Sequence, residues 1–512
     1  MLFKIPEITT SLHYRHSQKA RDEAVKIAAW FEVHTKGRKL IKWYTIDHGE
    51  SLDLDDGISA RKKPDGWYIV YISITDMASI IPLNSYNFEE GLERATSIYY
   101  NTDPERKPHV GYMFHPIFAT DIGSLNDKQK RYTLTMEVHL DESFWVVHSD
   151  LYPSVFFNKN RFSHETFSES FMQIDNPENE ELRLFYEISQ GLKWASAQKD
   201  RMNSWESRSI IIWDKWFFQP RHLASQIVEQ FMILGNIEVS KWLIKNDING
   251  IMRNHMPHLK WYTDLVWATE NATYDEEMYY HFWLWTDRYC HFTSTGRRAG
   301  DFIINYIINY FLQGRGNAFT KEQVREVCEY LNLKLTSIIW MRKQYAREIY
   351  ATRWARQLKR ENIEIDPSMI LQKFKHDIKE NRLPSAIREL IIKLLESDDT
   401  FPEWVLRSFI GNGEKEIIKA LKARVLKDKK VMKFMRIIEN TREFRFEEEL
   451  KVWRKYLSLS IAIFKWVQMI WVVNKKEEKA LSPRSGKPLS SKFHHDARKE
   501  ALSYLFDYCI EN

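Results

Sequence analysis

A short apolar run, Trp43 to Ile46, delivers this chain into the stretch YTIDHGESLDLDDGI (Tyr44 to Ile58), which sets Asp47, Asp53, Asp55 and Asp56 within ten positions and follows the last with glycine. Carboxylates gathered so closely repel one another and raise each other's pKa unless positive charge sits among them. A fold built on this stretch must either splay the acids into solvent, as a solvated turn would, or bring a cation to them. A calcium loop of EF-hand type does not fit. Counted from Asp53, Gly57 falls at position 5 and Pro64 at position 12, where an acid and a bidentate Glu belong. Oxygen ligands without His or Cys suit magnesium, with manganese as a substitute. Two such ions about 4 Å apart activate water and stabilise the leaving oxygen of a phosphodiester.

At 512 residues the chain exceeds one ordinary core, so two or three domains are expected. With 44% hydrophobic and 28% charged residues it reads as globular rather than disordered. Its net charge of +5 permits an anionic partner without requiring one. Aromatics reach 14%, and such rings serve cores and base-stacking surfaces equally well. Cys290, Cys328 and Cys509 form no CxxC, which excludes a disulfide framework and a thiolate zinc site and points to a reducing, intracellular, cytoplasmic setting. No apolar run approaches the roughly 20 residues of a membrane span, so no membrane partner is expected. The opening MLFKIPEITTSLHYRHSQKAR lacks a signal-peptide core; it reads as a first helix or arm, or as an organelle transit peptide.

Ile58 to Lys62, the turn Pro64-Asp65-Gly66 and WYIVYISIT from Trp67 read as a hairpin, and Tyr132 to Leu140 alternates as a half-buried strand. The first 150 residues are therefore expected to be β-rich, with the acids held at strand ends. From Glu180 the pattern turns helical, including SQIVEQFMILGNIEVSKWLI with Ile227, Val228, Phe231, Met232, Leu234 and Val239 at amphipathic spacing. The fold class expected is α+β, with an arm over 1–40, a catalytic domain over 41–360 and a mainly helical, basic region over 361–512.

The acidic stretch resembles the motif of the ribonuclease II and ribonuclease R (RNB) family of exoribonucleases, whose four Asp recur at the offsets 0, 6, 8 and 9 seen at Asp47, Asp53, Asp55 and Asp56. Further segments follow in the family's order. YISITDMASII (Tyr71 to Ile81), LERATSIYY (Leu92 to Tyr100), GSLNDKQKRYTLTMEV (Gly123 to Val138) and NRFSHETF (Asn160 to Phe167) are each similar to a family segment. So are IVEQFMILGN (Ile227 to Asn236), IMRNHMP (Ile251 to Pro257) and YCHFTSTGRRAGD (Tyr289 to Asp301). The resemblance covers roughly residues 40 to 350.

It implies a mixed sheet packed with helices around a narrow channel. It also implies a magnesium-dependent, hydrolytic, processive 3′→5′ exoribonuclease that degrades single-stranded RNA to nucleoside 5′-monophosphates. Carried over by position, Asp47 and Asp56 bind the main magnesium, while Asp53 and Asp55 complete the site, with Asp55 the first choice for loss of turnover. Arg297 falls on the phosphate-contacting arginine and Arg298 supports it. Tyr99 falls on the tyrosine that stacks on a base, Glu229 on an acid that faces the sugar, and Arg253 and His255 on the "RxH" pair. Each has a plainer reading: a surface ion pair for the arginines, a core ring for Tyr99, a solvated acid for Glu229 and a structural histidine for His255.

The chain departs from the family in places. Only 46 residues precede the first Asp, too few for the two cold-shock domains usual there, and neither end offers their strands or those of an S1 domain, so RNA recruitment is expected to differ. Thr295 and Gly296 replace Pro-Ile and Ala299 replaces Tyr, which predicts a looser loop around Arg297. Ala346 stands where many members have Glu. LKARVLKDKKVMKFMR offers Lys and Arg for phosphates, or simply a solvated face, and SSKFHHDARKEALSYLF resembles the last helix of a double-stranded-RNA-binding domain or an ordinary packing helix. Two alternatives stay open: a catalytically weak RNA-binding or scaffold protein, and a nuclease of this fold acting on single-stranded DNA. Protein partners are not legible.

Overall fold

The computed structural model describes residues 4–7, 15–100, 109–173, 178–197, 207–212, 215–220, 222–256, 271–284, 286–361, 363, 367–379, 382–396, 415–425, 460–464, 469–474 and 479–481. The chain divides into two compact units, residues 1–341 and 342–512.

In the first unit, helix α1 (Gln18–Ala29) is capped by the Ser17 hydroxyl and precedes β1 (Lys39–Asp47), β2 (Asp56–Lys62) and β3 (Tyr68–Thr75). Helix α2 (Tyr86–Arg94) and the short pair β4 (Ile98–Tyr100) and β5 (His109–Gly111) lead to the long strands β6 (Lys130–Leu140) and β7 (Val146–Ser163). The order β1-β2-β3-β6-β7 closes into a barrel: every neighbouring pair is antiparallel except β7 with β1, which is parallel. Closure leaves no free edge along the five strands. The expected hairpin and the strand at Tyr132 to Leu140 are both present as β2–β3 and β6.

Alternating residues on these strands face opposite sides of the barrel wall. Val70, Ile72, Ile74, Leu134, Met136 and Val138 are fully buried on one side, where a Cβ built on Gly235 would lie 3.1 Å from Ile72. The other side is polar in part: Thr135 bridges Ser73 at 2.7 Å and Ser154 at 2.6 Å, so the buried hydroxyls satisfy one another across three strands. Gly57, the glycine that ends the acidic stretch, packs directly under a ring. A Cβ built there would lie 2.3 Å from Phe156 Cζ, so this barrel wall tolerates only hydrogen.

Helices cover the barrel. After α3 (His164–Met172) and α4 (Glu178–Ala197) comes α5 (Leu223–Lys245), whose Ile227, Phe231, Leu234, Val239 and Leu243 are buried. Helix α6 (Ala299–Leu312) docks on the turn after β3, where Asn305 accepts from the Ala78 amide at 2.8 Å and Asn309 donates to buried Asp76 at 2.7 Å. Arg38 reaches the same Asp76 at 2.9 Å.

The long run expected to be helical after Glu180 also contains strands. These are the hairpin β8 (Ser207–Ile212) and β9 (Lys215–Pro220), the pair β10 (Met252–Asn254) and β11 (Thr273–Asp275), and, in the second unit, a sheet of β12 (Ser460–Phe464), β13 (Met469–Asn474) and β14 (Lys479–Leu481). Runs such as SRSIII, KWFFQP and MIWVVN are rich in β-branched and aromatic residues, which favour a pleated surface over a helix. The second unit also holds α8 (Pro367–Lys379), α9 (Ser385–Glu396) and a further helix, Lys415–Val425. The expected boundary near residue 360 coincides with the end of α7 (Lys321–Arg360), whereas the compact units part at 341; unbroken helical periodicity hides a change of packing partner. Of the basic run Leu421 to Arg436 only the first five residues are described, and Ser490 to Phe506 lies outside the described residues. Among the described residues no helix is long and apolar enough to cross a membrane.

The packing of Gly57 yields a direct test. Gly57→Ala should cost about 1–3 kcal/mol in urea or thermal unfolding through overpacking, and Phe156→Leu in the same chain should recover part of the loss. An unchanged unfolding midpoint for G57A would contradict the close approach.

A candidate active site at the mouth of the barrel

Strands β1 and β3 end, and β2 begins, at one mouth of the barrel. Asp47 closes β1 opposite Ser163, and Asp56 opens β2 opposite Ile74. The chain between them is fastened rather than loose. Ser124 Oγ accepts from the Leu54 amide at 3.0 Å and donates to the Leu52 carbonyl at 2.8 Å, while the Leu54 carbonyl accepts from the Leu125 amide at 3.0 Å. Leu54 is buried with Ile41, Leu125 and Phe156. Strand-like alternation then sends Asp53 and Asp55 to the other face together. The Asp55 carbonyl receives both the amide and the hydroxyl of Thr75, at 2.9 and 3.0 Å. Arg161 donates to the carbonyls of Gly49 and Ser51, a cation that holds the loop by its backbone.

The four carboxylates meet different partners. Asp47 accepts from the His48 amide at 2.6 Å and the Ser51 hydroxyl at 3.0 Å. Asp53, 6% exposed, accepts a hydrogen bond from the Tyr99 hydroxyl. Asp55, 3% exposed, accepts from the Gly296 amide at 3.2 Å through Oδ1, while Arg297 Nε stands 3.1 Å from Oδ2. That second contact is a charge pair without hydrogen-bond alignment, so Oδ2 remains buried with no donor. Burial pushes Asp55 up to about 8 against the pull of Arg297, and Asp53 and Asp56 add to the rise. Burial and the charge of Asp47 push Asp56 up to about 7, and burial likewise raises Asp53. Burial alone would weaken the Arg297 guanidinium's hold on its proton; the carboxylates of Asp55, Asp56 and Asp47, with Tyr99, raise it instead.

The loop bearing Arg297 is tight, which corrects the looser loop expected from Thr295 and Gly296. Thr295 is fully buried and donates to the Thr75 carbonyl at 2.6 Å. Gly296 is required by its neighbour, since an added Cβ would lie 2.5 Å from Asp55 Oδ1. The Arg297 carbonyl accepts from the Thr96 hydroxyl and the Ser97 amide, each at 2.9 Å, and Ala299 N donates to Ala95 at 2.9 Å. Asn236 supports the segment from α5 by accepting from the Phe292 amide at 2.8 Å.

Of the sequence-predicted residues, Asp47, Asp53, Asp55, Asp56, Tyr99 and Arg297 come together here. Tyr99 is 37% exposed, more open than the core ring of its plainer reading. Arg298 instead pairs with fully buried Asp301 at 2.6 Å, and Arg253 lies over the Tyr274 ring at 4.3 Å. His255 is 4% exposed, with its ring 5.4 Å from that of His281. Glu229 lies half-buried on α5. Thr75, Ser124, Arg161 and Gly296 position the acids yet were not singled out as site residues; for Ser124 and Arg161 the only signal was their place inside quoted motifs.

The donors suit a hard divalent cation: carboxylates only, with Asp53, Asp55 and Asp56 raised above their usual range by burial and an orphaned oxygen on Asp55. Among the described residues, however, no group of three or more His, Cys, Asp or Glu is already gathered closely enough to hold a metal. Arg297 and Tyr99 hold Asp55 and Asp53 in this arrangement.

These raised values make stability pH-dependent. The folded, chelator-treated chain retains protons on Asp55 and Asp56 that the unfolded chain gives up near the ordinary value of 3.8, so their contribution to stability is lost as pH rises through about 7 and about 8. Asp55→Asn removes the larger part. The melting temperature of D55N relative to the parent should therefore climb between about pH 5 and 8.5 in chelator; a constant difference would contradict the burial of Asp55.

Residues 38–270 match the family model described as "RNB domain". Ribonuclease R 2 of Lactococcus lactis is 26% identical over 339 residues, covering 55% of this chain and 50% of that protein, and ribonuclease R of Thermotoga maritima is 25% identical, covering 56% and 47%. The chain thus spans about half the length of the curated relatives it matches. The apo form of Mycoplasma genitalium RNase R superposes with a TM-score of 0.59 at 20% identity, covering 68% of this chain and 63% of that one. The same enzyme has been solved with ribose-methylated single-stranded RNA and superposes with a TM-score of 0.57. Fold, acidic motif and family match agree in making residues 38–270 similar to an RNB domain.

Proposed function

We propose that this chain is a divalent-metal-dependent 3′→5′ exoribonuclease that hydrolyses single-stranded RNA to nucleoside 5′-monophosphates. The observation that carries the reading is the convergence of Asp47, Asp53, Asp55 and Asp56 with the Arg297 guanidinium at one end of a closed barrel. The relatives named ribonuclease R support the same class.

In this reading Arg297 exchanges Asp55 for the scissile phosphate. Its planar fork suits non-bridging oxygens, and donors aimed at developing charge commonly contribute about 10²–10³ in rate. Asp55 Oδ2, buried and without a donor, accepts a hydrogen bond from the attacking water and aligns it. Tyr99, held by Asp53, stacks on the base at the cleavage point, a contact of about 1–3 kcal/mol. Asp47 and Asp56 would hold a magnesium or manganese ion, with Asp53 and Asp55 completing the set. When bound, that ion supplies positive charge to the phosphate oxygens and makes water easier to deprotonate. Rigid anchoring of Leu54 and Thr295 keeps these groups in register.

A second reading, an RNA-binding protein with little turnover, is favoured by one observation: among the described residues no three ligands already stand gathered for a metal. One experiment separates the two. With 5′-labelled single-stranded RNA and magnesium, the parent should convert substrate to one short end product. D55N should retard the RNA in a gel yet cleave at least about 10²-fold more slowly, and R297A should lose a similar factor. RNA bound but never cut by the parent would sink the nuclease reading, and full activity in D55N would sink the assigned site.

A further inference from the structure

One residue beyond Arg297 the chain turns away from the acids and lines a separate cavity of about 270 Å³. Arg253 and Arg298 both face it. Arg253 is poorly compensated: its guanidinium lies on the Tyr274 ring at 4.3 Å, and its Nε is buried without a hydrogen-bond partner. Arg298 uses Nη2 to bind Asp301 at 2.6 Å, but its Nε too is buried and without a partner. Arg298 has its anion in Asp301, whereas among the described residues Arg253 makes no ion pair; a buried cation without an anion is costly, so the Arg253 guanidinium calls for one. Burial pulls Arg253 below its ordinary value, which an anion would reverse. Helix α7 contributes the apolar Leu331, Leu335 and Ile339 to the lining, beside Asn332 and Thr336. Thr96 joins the cavity to the site already described, since its hydroxyl donates to the Arg297 carbonyl.

A compact anion with an apolar body fits this lining. The volume lies just below the range of about 300–1,000 Å³ usual for small-molecule pockets and is too small for a nucleic acid strand. We propose that the cavity binds a nucleoside 5′-monophosphate, with its phosphate between Arg253 and Arg298 and its base against Leu331, Leu335 and Ile339. The source of that ligand rests on the nuclease reading above, of which it is the product. Turnover then depends on how quickly the cavity empties.

The test is calorimetric titration of AMP, adenosine and orthophosphate into D55N protein, which removes hydrolysis from the readout. AMP should bind at least tenfold more tightly than either adenosine or orthophosphate. Arg253→Met should weaken AMP at least tenfold. Leu335→Trp, which fills the cavity from α7, should abolish binding while circular dichroism melting reports an intact fold. AMP binding should persist with a saturating ten-nucleotide RNA present. Absence of AMP binding, equal affinity in the R253M and L335W proteins, orthophosphate binding as tightly as AMP, or displacement of AMP by equimolar RNA would each overturn the proposal. The two readings fail separately: an active nuclease with no AMP site sinks the cavity alone, and AMP bound by a chain that cuts no RNA sinks the nuclease alone.

Discussion

The arrangement of this molecule turns on the repulsion among four aspartates drawn to one end of a barrel, and on the Arg297 guanidinium that relieves it, helped at Asp56 by Arg298. Asp55 is buried and fixed by its backbone to Thr75, so it cannot move away from Asp53 and Asp56. Arg297 stands 3.1 Å from it and is held above its own ordinary proton affinity by the same acids. Arg297 pulls against the burial that favours the protonated Asp55, and the acids in turn strengthen the guanidinium's hold on its proton. Removing either leaves a buried group without compensation, which is far more costly than the net worth of the pair itself.

The scaffold is arranged to keep that pair in place. Parallel pairing of β7 with β1 closes the barrel and sets Asp47 at its rim. Asp76, at the end of β3, gathers Arg38 and Asn309, and through Asn309 it fixes α6, the helix that follows the arginine loop. Thr295 and Thr96 then pin the loop from two sides. Substitutions that look like erosion in a motif are here part of the fit: Gly296 leaves room for the Asp55 carboxylate and gives it an amide.

Much of this was legible from residue order. The spacing of Asp47, Asp53, Asp55 and Asp56 announced a charged site, and the Pro64-Asp65-Gly66 turn with alternating neighbours announced β2 and β3. Local patterns could not report what depends on distant packing. Closure of the barrel joins residues more than 100 positions apart, such as Tyr44 and Asn160, and leaves no local trace. The hairpin of SRSIII with KWFFQP was hidden by helices on either side. Thr295 and Gly296 read as departures because their partners, Thr75 and Asp55, lie some 220 and 241 residues away. Arg253 and Arg298, read together with the RNA contacts, line one cavity.

The central claim is that the acids are tolerable because a divalent ion completes what Arg297 begins. Manganese titration followed by electron paramagnetic resonance measures this most directly. The account predicts saturable binding by the parent chain that weakens at least tenfold in Asp56→Asn and strengthens in Arg297→Ala, where the competing cation is gone. Manganese that binds both variants as it binds the parent, or not at all, would contradict it.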